Sequence, residues 1–554
     1  MSEPTVRPVR PEPQPTLASA EFWAAGRDGV LHITRCADCS AYTHPPLPRC
    51  RVCRSPHVAL APVSGRGVVA GFTVNHQQWL ADFPPPYVVA IVALEEDEGA
   101  RLTTNIVGCE VEDVHVGMAV RVLFEKVGEV HLPLFEPDPD RRGETLRVPE
   151  PRDVSAALRP MASPVKFEDR VALTGVGQSK VGRRLMVDPV SLTVDACLAA
   201  VADAGLELKD IDGLSTYPGR TGAPGMSEGG IPPVVEALQL TPTWINGVGD
   251  TPGQAGAIIA AMLAVASGLC RHVLCFRTVW ESSHTALVRS GAWDAPPARA
   301  TGMMEERAPF GAMSAAGWIA MQTSHYFHRY GGDRSMLGWV AVTERDGAAR
   351  NPEAVYRDPL TLDDYFAARM VSTPFGLYDC DVPVDGAVAV IVSAAETLAD
   401  RPRPGVLVEA VGTQIMERLS WDQDTLTHEP QTFGPAKHLW SRTSLRPDDV
   451  DLALLYDGFT FNAVSWLEAL GFCEPGGARD FIDEGRGIAL GGRLPLNPHG
   501  GQLSAGRLHG FGFVREAMLQ LRGDAGERQV QDAGTAVVTT GGGAPGSAIL
   551  LRRA

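Results

Sequence analysis

Four cysteines near the N-terminus constrain the fold of this chain most strongly. They are Cys36, Cys39, Cys50 and Cys53, and they form two CxxC pairs separated by ten residues. Two such pairs can bring four thiolates into the tetrahedral arrangement that Zn²⁺ prefers, and four thiolates leave no open coordination position. We therefore expect a structural zinc ion in a small subdomain. Reduced structural cysteines and a pair of disulfides are the alternatives, and a cytosolic setting disfavours the disulfides.

The composition is typical of a soluble globular protein with several domains. The chain has 554 residues, of which 44% are hydrophobic and 21% charged, and roughly three domains of ordinary size fit this length. No uninterrupted apolar stretch approaches the ~20 residues of a membrane helix. The proline-containing residues 1–20 predict a disordered lead-in rather than a targeting signal, so we expect a cytoplasmic protein. A net charge of −17 without a long Lys/Arg run argues against a nucleic-acid partner.

The region after the cysteines predicts a small β-barrel. Short strand-like runs occupy 65–76, 87–96, 100–109 and 119–127, and turn-like proline, glycine and acidic residues separate them. Residues 136–166 are rich in proline and charge and poor in bulky apolar residues. This composition predicts an interdomain linker.

Beyond the linker, strand candidates alternate with helix candidates. The strand candidates include 171–177, 272–279 and 387–394, and the helix candidates include 190–205 and 255–268. This alternation predicts an α/β fold.

A faint duplication divides the α/β region into two similar halves. The sequence LELKDIDGLSTYPG at 206–219 recurs as LRPDDVDLALLYDG at 445–458, and VALTGVG at 171–177 recurs as VLVEAVG at 406–412. A repeat of this kind predicts two copies of one arrangement, in which a strand, a helix and an acidic turn lead into the next strand. The first copy then carries a long insertion at about 280–375.

The N-terminal part resembles a known two-part module. LHITRCADC (31–39), PRCRVC (48–53), SGRGVV (64–69) and GMAVRVLFE (117–125) are similar to a DUF35-type rubredoxin-like zinc ribbon followed by an OB-fold, which is found as a partner of thiolase-like enzymes. OB-folds often bind oligonucleotides, but this one lacks the basic, aromatic-rich face that such binding needs. The resemblance instead implies roles in docking and in shaping an acyl-CoA site.

The chain resembles a thiolase over about 167–554. The motifs that carry this resemblance are DVPVDGAVAVIV (381–392), NPHGGQLSAGRLHGFG (497–512) and VVTTGGGAPGSAILL (537–551). YDGFTFNAVSWLEALGFCEPGG (456–477) is similar to the sterol-carrier thiolase and lipid-transfer-protein branch. The resemblance implies a thiolase fold of two αβαβα halves that assembles as a homodimer.

Together these observations predict six segments. They are a disordered lead-in over 1–20, a zinc ribbon over 21–62, an OB-fold over 63–135, a linker over 136–166, an N-terminal thiolase-like half over 167–400 and a C-terminal half over 401–554.

Two cysteines of working thiolases are missing from this chain. Where the resemblance places the acylated cysteine, the sequence is NGVGDTPGQAGAIIAA (246–261), with Asp250 or Thr251 near that position. Thr539 and Thr540 stand where the acid/base cysteine would precede the C-terminal glycines. A threonine hydroxyl has a far higher pKa than a thiol, and no obvious base lies beside it in the sequence. Chemistry through an acyl-enzyme is therefore disfavoured.

The histidine motifs of thiolases also change. Tyr456 stands at the first position of one motif, and the Gly-His-Pro motif becomes Gly506-Arg507-Leu508-His509-Gly510. With the missing cysteines and the attached module, this pattern resembles the thiolase-like aldolases that remove steroid side chains, in which the two parts are usually separate chains. The resemblance implies retro-aldol cleavage of a bulky β-hydroxyacyl-CoA into a ketone and a shortened acyl-CoA.

Such a cleavage needs a base for the hydroxyl proton, donors to the thioester enolate and an acid for Cα. Tyr456 is the candidate base, provided that its neighbours lower its pKa from roughly 10. His509 is the candidate proton relay or enolate donor. Arg507 stands where these aldolases carry a second tyrosine, and its candidate roles are to lower the pKa of Tyr456 or to hold an oxyanion.

Further candidates lie around these three residues. Gly542 and Gly543 belong to a glycine-rich loop whose N–H groups can approach a thioester oxygen. Asp457 and His499 are candidates for substrate contact, and a turn cap is the alternative for Asp457. Two other functions remain open at this stage: a thiolase-fold acyltransferase or condensing enzyme with an atypical active site, and a non-catalytic acyl-CoA or lipid-binding protein.

Overall fold

The N-terminal part consists of a zinc ribbon and a β-barrel. The computed structural model describes residues 9–97, 99–149, 157–294, 300–423, 425–541 and 545–554. The ribbon contains α1 (Ala20–Ala25), β1 (His32–Cys36), β2 (Tyr42–Thr43) and β3 (Val58–Pro62), and the barrel contains β4 (Arg66–Asn75), β5 (Tyr87–Leu94), β6 (Arg101–Thr104), β7 (Ala119–Val127) and β8 (Val130–Pro137).

The five barrel strands form a closed ring. β4 pairs with β5 and β7, β5 pairs with β6, and β7 pairs with β8. A bridge between Ile106, just after β6, and Phe135 in β8 completes the ring. Four of the strands confirm the sequence analysis, which missed β8 because Pro133 and Pro137 interrupt its apolar pattern.

The remaining chain forms the α/β body. Its first half contains β9 (Val171–Gln178), α2 (Pro189–Asp203), β10 (Gly213–Thr216), α3 (Ile231–Leu238), β11 (Trp244–Asn246), α4 (Gly256–Ala266), β12 (His272–Trp280) and β15 (Asp385–Ala394). Between β12 and β15 lie α5 (Glu281–Arg289), α6 (Ala315–Tyr330), α7 (Arg334–Ala349), α8 (Leu362–Ala367), β13 (Met370–Ser372) and β14 (Phe375–Gly376). The second half contains β16 (Val406–Gly412), α9 (Phe433–Trp440), β17 (Leu452–Leu454), α10 (Thr460–Ala469), α11 (Ala478–Ile482), α12 (Phe511–Arg522), β18 (Thr535–Thr540) and β19 (Ser547–Arg553).

One nine-stranded sheet runs through both halves in the order β11-β10-β12-β15-β9-β16-β19-β18-β17. The halves meet where β9 pairs antiparallel with β16. On each side of that seam the strand order and directions repeat: β10 is parallel to β12 as β17 is parallel to β18, and β15 is antiparallel to β12 as β19 is to β18. The two-half α/β fold predicted from the duplication is therefore confirmed.

Equivalent glycines let one helix approach the sheet closely in each half. A Cβ on Gly177 of β9 would lie 2.3 Å from the carbonyl oxygen of Ala196 in α2. A Cβ on Gly412 of β16 would lie 2.0 Å from the carbonyl oxygen of Pro435 in α9. Real Cβ atoms do not approach so closely, so both repeated motifs end in glycine for the same packing reason.

The barrel docks on helix α6 of the same chain. His325 Nδ1 lies 2.7 Å from the Ala70 carbonyl oxygen of β4, so the ring donates to that oxygen. Gly71 follows, and a Cβ at this position would lie 2.4 Å from the Met321 carbonyl oxygen. The contact therefore brings two backbones together, and β13 extends it by pairing with Asn75 of β4.

The ribbon docks on the segment that precedes α6. Trp23 Nε1 donates to Glu305 Oε1 at 2.7 Å, and Ser19 Oγ donates to the same carboxylate oxygen. His44 Nε2 lies 3.6 Å from Glu306 Oε2. Ribbon and barrel thus contact the α/β body of their own chain through the segment inserted between β12 and β15.

Two predictions about connecting segments need correction. The disordered lead-in is wrong for residues 9–20, because buried Arg10 donates to Asn105 Oδ1 and to the Pro309 carbonyl oxygen. The expected linker does not begin at residue 136, because β8 continues to Pro137 and Thr145 bridges Met118 of the barrel. In the described part of the chain, no helix is long and apolar enough to cross a bilayer.

Candidate active site and metal site

The four ribbon cysteines come together as the sequence predicts. Cys36 Sγ lies 3.6 Å from Cys53 Sγ, and Cys39 Sγ lies 3.5 Å from Cys50 Sγ. All four sulfur atoms lie within 4.8 Å of one another. Four thiolates about 2.3 Å from one ion have mutual distances close to these values, so the residues fit a tetrahedral zinc ion.

Tyr456 lies two residues after the carboxyl end of β17. Its backbone N–H donates to Thr539 Oγ1 at 2.9 Å, which ties it to β18. Its ring packs edge-on against Phe513 with 6.4 Å between centroids, and only 5% of the residue is exposed. Glycine at position 458 makes room for this ring, because a Cβ there would lie 2.8 Å from Tyr456 Cε1.

The surroundings of Tyr456 keep it protonated. Burial raises the pKa of Tyr456 well above its ordinary value of 10, and the carboxylates of Asp381, Glu429 and Asp457 raise it further. The Gln502 amide, which faces the hydroxyl, opposes this rise. The expectation that neighbours lower the pKa of Tyr456 is therefore wrong, because the nearby charges are negative and come from segments that the sequence does not place together.

His509 is a neutral hydrogen-bond donor. Its Nδ1 lies 2.5 Å from Arg277 Nη2, and an arginine can only donate, so Nδ1 accepts and the proton lies on Nε2. Burial and the charges of Arg277 and Arg507 lower the pKa of His509 well below 6.5. Of the two roles that the sequence suggests, this arrangement favours the enolate donor.

Arg507 is held by two carboxylates. It forms ion pairs with Glu281 and with Asp381, where Nη1 lies 3.0 Å from Oδ1. Its backbone N–H donates to the Val382 carbonyl oxygen at 2.9 Å. Burial and negative charges make the net shift of the Tyr456 pKa an upward one, and a lowering contribution from Arg507 stays a prediction. Its Nε is buried without a hydrogen-bond partner among the described residues, and the oxyanion role stays a prediction.

Asp457 organises the loop that follows Asn497. Its carboxylate accepts from the backbone N–H groups of Gln502 and Leu503. Burial raises the pKa of Asp457 to about 6, and burial together with the charge of Asp457 raises the pKa of Glu344 well above its ordinary range. A Cβ on Gly501 would lie about 2 Å from the carboxylate oxygens of Asp457 and Glu344, so only glycine fits at this position of the loop. This geometry supports the turn-capping alternative for Asp457.

The other candidates are His499, which packs on the same phenylalanine as Tyr456, and two glycines outside the described residues. His499 packs edge-on against Phe513 at 5.5 Å, and burial lowers its pKa to about 4. Its carbonyl oxygen accepts from Asn351 Nδ2 at 2.9 Å. Gly542 and Gly543 lie outside the described residues.

The threonines at the thiolase cysteine positions are engaged in structural hydrogen bonds. Thr251 Oγ1 donates to the Gly253 carbonyl oxygen at 2.7 Å. Thr540 Oγ1 accepts from the backbone N–H of Ala255 and pairs with Ser547 Oγ at 2.9 Å. Neither hydroxyl has a base poised to activate it in these contacts, which agrees with the absence of an acyl-enzyme nucleophile.

Sequence reasoning missed two residues of the site. Arg277 lies in the apolar run of β12 and is only 1% exposed. Gln502 is 3% exposed, and its amide atoms have no partner among the described residues apart from the Tyr456 hydroxyl that they face. A lone charge within an apolar strand is the signal that identifies Arg277, because buried charges are rare outside paired or functional positions.

Comparisons with known proteins match separate parts of the chain. A family model described as ChsH2, rubredoxin-like zinc ribbon domain, matches residues 23–59. A second, described as ChsH2, C-terminal OB-fold domain, matches 61–125. A third, described as Thiolase C-terminal domain-like, matches 422–551.

Full-length relatives match the α/β body. A steroid side-chain-cleaving aldolase from Thermomonospora curvata is 35% identical over 395 residues, which cover 69% of this chain and 97% of that protein. This chain belongs to the steroid side-chain-cleaving aldolases. The 17-hydroxy-3-oxo-4-pregnene-20-carboxyl-CoA lyase of Mycobacterium tuberculosis is 33% identical over 393 residues, covering 69% of this chain and 99% of that lyase.

A solved structure supports the same membership. The structure titled Ltp2-ChsH2(DUF35) aldolase has a TM-score of 0.62 and 32% identity, and the match covers 70% of this chain and 98% of that one. The predicted thiolase-like aldolase with a zinc ribbon and an OB-fold is thus confirmed. This aldolase is an enzyme that carries all three parts in one chain.

Proposed function

We propose that this aldolase breaks the bond between a steroid-like ring and its side chain in a β-hydroxyacyl-CoA. The observation that carries the proposal is that Arg277 binds neutral His509 and also feels the charge of buried Tyr456, while the threonines at the cysteine positions are hydrogen-bonded to other groups. Such a site can move protons and hold an enolate, and it offers no acyl-enzyme nucleophile.

In the proposed reaction the β-hydroxyl loses its proton and its oxygen forms the ketone. The bond between Cα and Cβ breaks, and its electron pair moves into the thioester as an enolate. Tyr456, as phenolate, takes the hydroxyl proton. Nε2–H of His509 donates to the enolate oxygen, together with the N–H groups of Gly542 and Gly543.

The raised pKa of Tyr456 sets the energetics of this step. At pH 7.5 a tyrosine with a pKa of 10 is a phenolate in roughly 1 molecule in 300. Each further unit of pKa adds ~1.4 kcal/mol to the free energy of forming the phenolate. The same shift makes the phenolate a stronger base, which suits an alcohol proton. The minor, strongly basic form of Tyr456 is therefore the proposed reactive species.

The partners and setting belong to the same proposal. Zn²⁺ held by Cys36, Cys39, Cys50 and Cys53 stabilises the ribbon. A coenzyme A thioester is the substrate, and the cytoplasm is the expected location.

A homodimer forms through the edge of the main sheet. β11 is the edge strand, and Ile245 within it and Val248 beyond it are more than half exposed. An unpaired edge with exposed apolar side chains suits a second copy of this chain, because the same strand on each copy can meet across a two-fold axis.

The test uses 17-hydroxy-3-oxo-4-pregnene-20-carboxyl-CoA, the compound that appears in the name of the M. tuberculosis relative. Cleavage between ring and side chain gives a 17-ketone and propionyl-CoA, which mass spectrometry separates. We expect both products from the wild type and a ~10²–10⁴-fold lower rate from Tyr456→Phe. Tyr330→Phe, at the end of α6, is the matched control.

Two outcomes would contradict the proposal. An acyl adduct on the protein without ketone release would establish an acyltransferase. Intact substrate without an adduct, for this and related steroid β-hydroxyacyl-CoA thioesters, would establish a binding function.

A further inference from the structure

We infer that Tyr217 is a second catalytic tyrosine, which delivers the proton to Cα of the enolate after the carbon–carbon bond has broken. This inference rests on the proposed function and deepens it. It assigns the acid that the reaction needs and that Arg507, a permanently charged donor, cannot supply.

The internal symmetry of the fold gives Tyr217 and Tyr456 equivalent places in the two halves. In the duplicated sequence, LELKDIDGLSTYPG and LRPDDVDLALLYDG align Tyr217 with Tyr456. The structure repeats this correspondence, because Tyr217 directly follows β10 and Tyr456 follows β17 with only Leu455 between them. β10 and β17 hold equivalent places in the two halves of the sheet. Each tyrosine therefore lies just beyond the carboxyl end of the equivalent strand in its own half.

Arg277 contacts Tyr217 and lies within electrostatic reach of Tyr456. Its Nη1 donates to the Tyr217 carbonyl oxygen at 2.9 Å, and its guanidinium carbon lies 5.5 Å from the centre of the Tyr217 ring. Burial lowers the pKa of Arg277 to about 10, and the negative forms of Glu228, Tyr217 and Tyr456 oppose that change. The same guanidinium holds His509. One buried cation thus contacts Tyr217 and the proposed enolate donor, and it feels the charge of Tyr456.

The two tyrosines differ in access and charge. Tyr217 is half-buried, and its hydroxyl has no hydrogen-bond partner among the described residues. Burial raises its pKa, Arg277 lowers it and Asp250 raises it. Tyr456 instead faces three carboxylates. Tyr217 is therefore a protonated donor whose hydroxyl is available to a ligand and whose phenolate would lie beside a cation.

The proposed step balances in protons and electrons. The enolate electron pair forms a bond from Cα to the Tyr217 proton, the O–H bond of Tyr217 breaks, and the thioester carbonyl is restored. Tyr217 is left as a phenolate beside Arg277, and Tyr456 holds the proton that came from the substrate hydroxyl. Return of one proton from Tyr456 to Tyr217, directly or through solvent, resets the site without any co-reactant.

The experiment follows cleavage of the same pregnene-20-carboxyl-CoA compound in D₂O. Tyrosine hydroxyls exchange with solvent, so the wild type is expected to place one deuterium on a single face of Cα in propionyl-CoA. With Tyr217→Phe we expect kcat to fall ~10²–10³-fold and deuterium to enter on both faces. NMR of a chiral derivative of the released propionate determines which face of Cα received the deuterium. Tyr330→Phe should match the wild type in rate and face.

Each other outcome has a defined meaning. A Tyr217→Phe variant with a rate within threefold of the wild type overturns the inference. So does a slower variant that still deuterates one face, because its proton donor is then another group. A wild type that cleaves no steroid β-hydroxyacyl-CoA refutes the proposed function, and the inference falls with it. The phenylalanine ring preserves the contact with Arg277, so loss of folding is not expected.

Discussion

Nη2 of Arg277 donates to Nδ1 of His509 across 2.5 Å, which joins a strand of the first half to a loop of the second. This bond fixes the imidazole tautomer with its proton on Nε2. The two halves of the fold therefore meet at this bond, and the proposed enolate donor in one half depends on a charge from the other.

Removing this charge should disable the donor. We expect Arg277→Met to lower kcat by ~10²-fold or more and to shift the His509 ring toward a mixture of tautomers, which ¹⁵N NMR of labelled histidine reports. Arg277→Lys should recover part of the activity, because it keeps the charge but not the forked donors. Arg442→Met, which removes another ion-paired arginine at Glu168, is the control. An unchanged tautomer in Arg277→Met would contradict this assignment.

Activity should rise with pH. Because the pKa of Tyr456 is raised above 10, the reactive phenolate fraction increases about tenfold per pH unit throughout the measurable range. The depressed pKa of His509 keeps it neutral, so no loss of activity is expected near pH 6.5. Profiles of kcat/KM between pH 6 and 9.5 test both statements. A plateau beginning near pH 7 would exclude Tyr456 phenolate as the base.

Stability should fall on acidification because of buried histidines. Burial lowers the pKa of His44, His325 and His499 to about 4. The unfolded chain binds these protons below about pH 6.5, so stability is full above that pH and decreases toward pH 4, by up to ~3 kcal/mol per histidine. Thermal unfolding at pH 7.5 and 5 measures the decrease. His325→Gln should make this loss of stability between pH 7.5 and 5 smaller. His57→Gln, which replaces an exposed histidine, should leave it unchanged. Equal decreases in both variants would refute this explanation.

Zinc removal should unfold the ribbon and weaken its docking. Metal analysis is expected to find one zinc per chain, and Cys50→Ser to lose it, because structural zinc ions contribute their binding free energy to folding. Cys109→Ser, outside the ribbon, is the matched control. A chain that lacks zinc but keeps the same melting temperature would show that the cysteines are only structural.

The contact between barrel and α6 should be sensitive to one methyl group. Gly71→Ala places a Cβ 2.4 Å from the Met321 carbonyl oxygen, and relief of this clash should cost ~1–3 kcal/mol and loosen the docking. Limited proteolysis and melting temperature measure the effect. Gly491→Ala, which has open space around its Cβ position, should change neither. If the two variants melt alike, the close approach at Gly71 does not hold the barrel in place.

The sequence predicts the fold better than the chemistry of the site. Repeated motifs and strand patterns identify both halves. These patterns are local: Gly177 and Gly412, for example, end the repeated motif because a helix packs closely against the strand there. The pKa of Tyr456 is not predictable in this way, because Asp381 and Glu429 reach it only through the tertiary fold. Arg277 was likewise hidden within an apolar strand. The alignment of Tyr217 with Tyr456 was visible in the sequence, but a catalytic role for Tyr217 could be inferred only once the structure placed the Arg277 guanidinium beside it.

The covalent link between the barrel and the α/β body changes how their association responds to dilution. Because the barrel packs on α6 of its own chain, this contact is unimolecular, with an effective concentration fixed by the connecting segment and not by the amount of protein. In a two-chain arrangement the same contact would dissociate at low concentration and require matched expression. Here one-to-one stoichiometry is guaranteed by synthesis, and the barrel stays on its helix at any protein concentration.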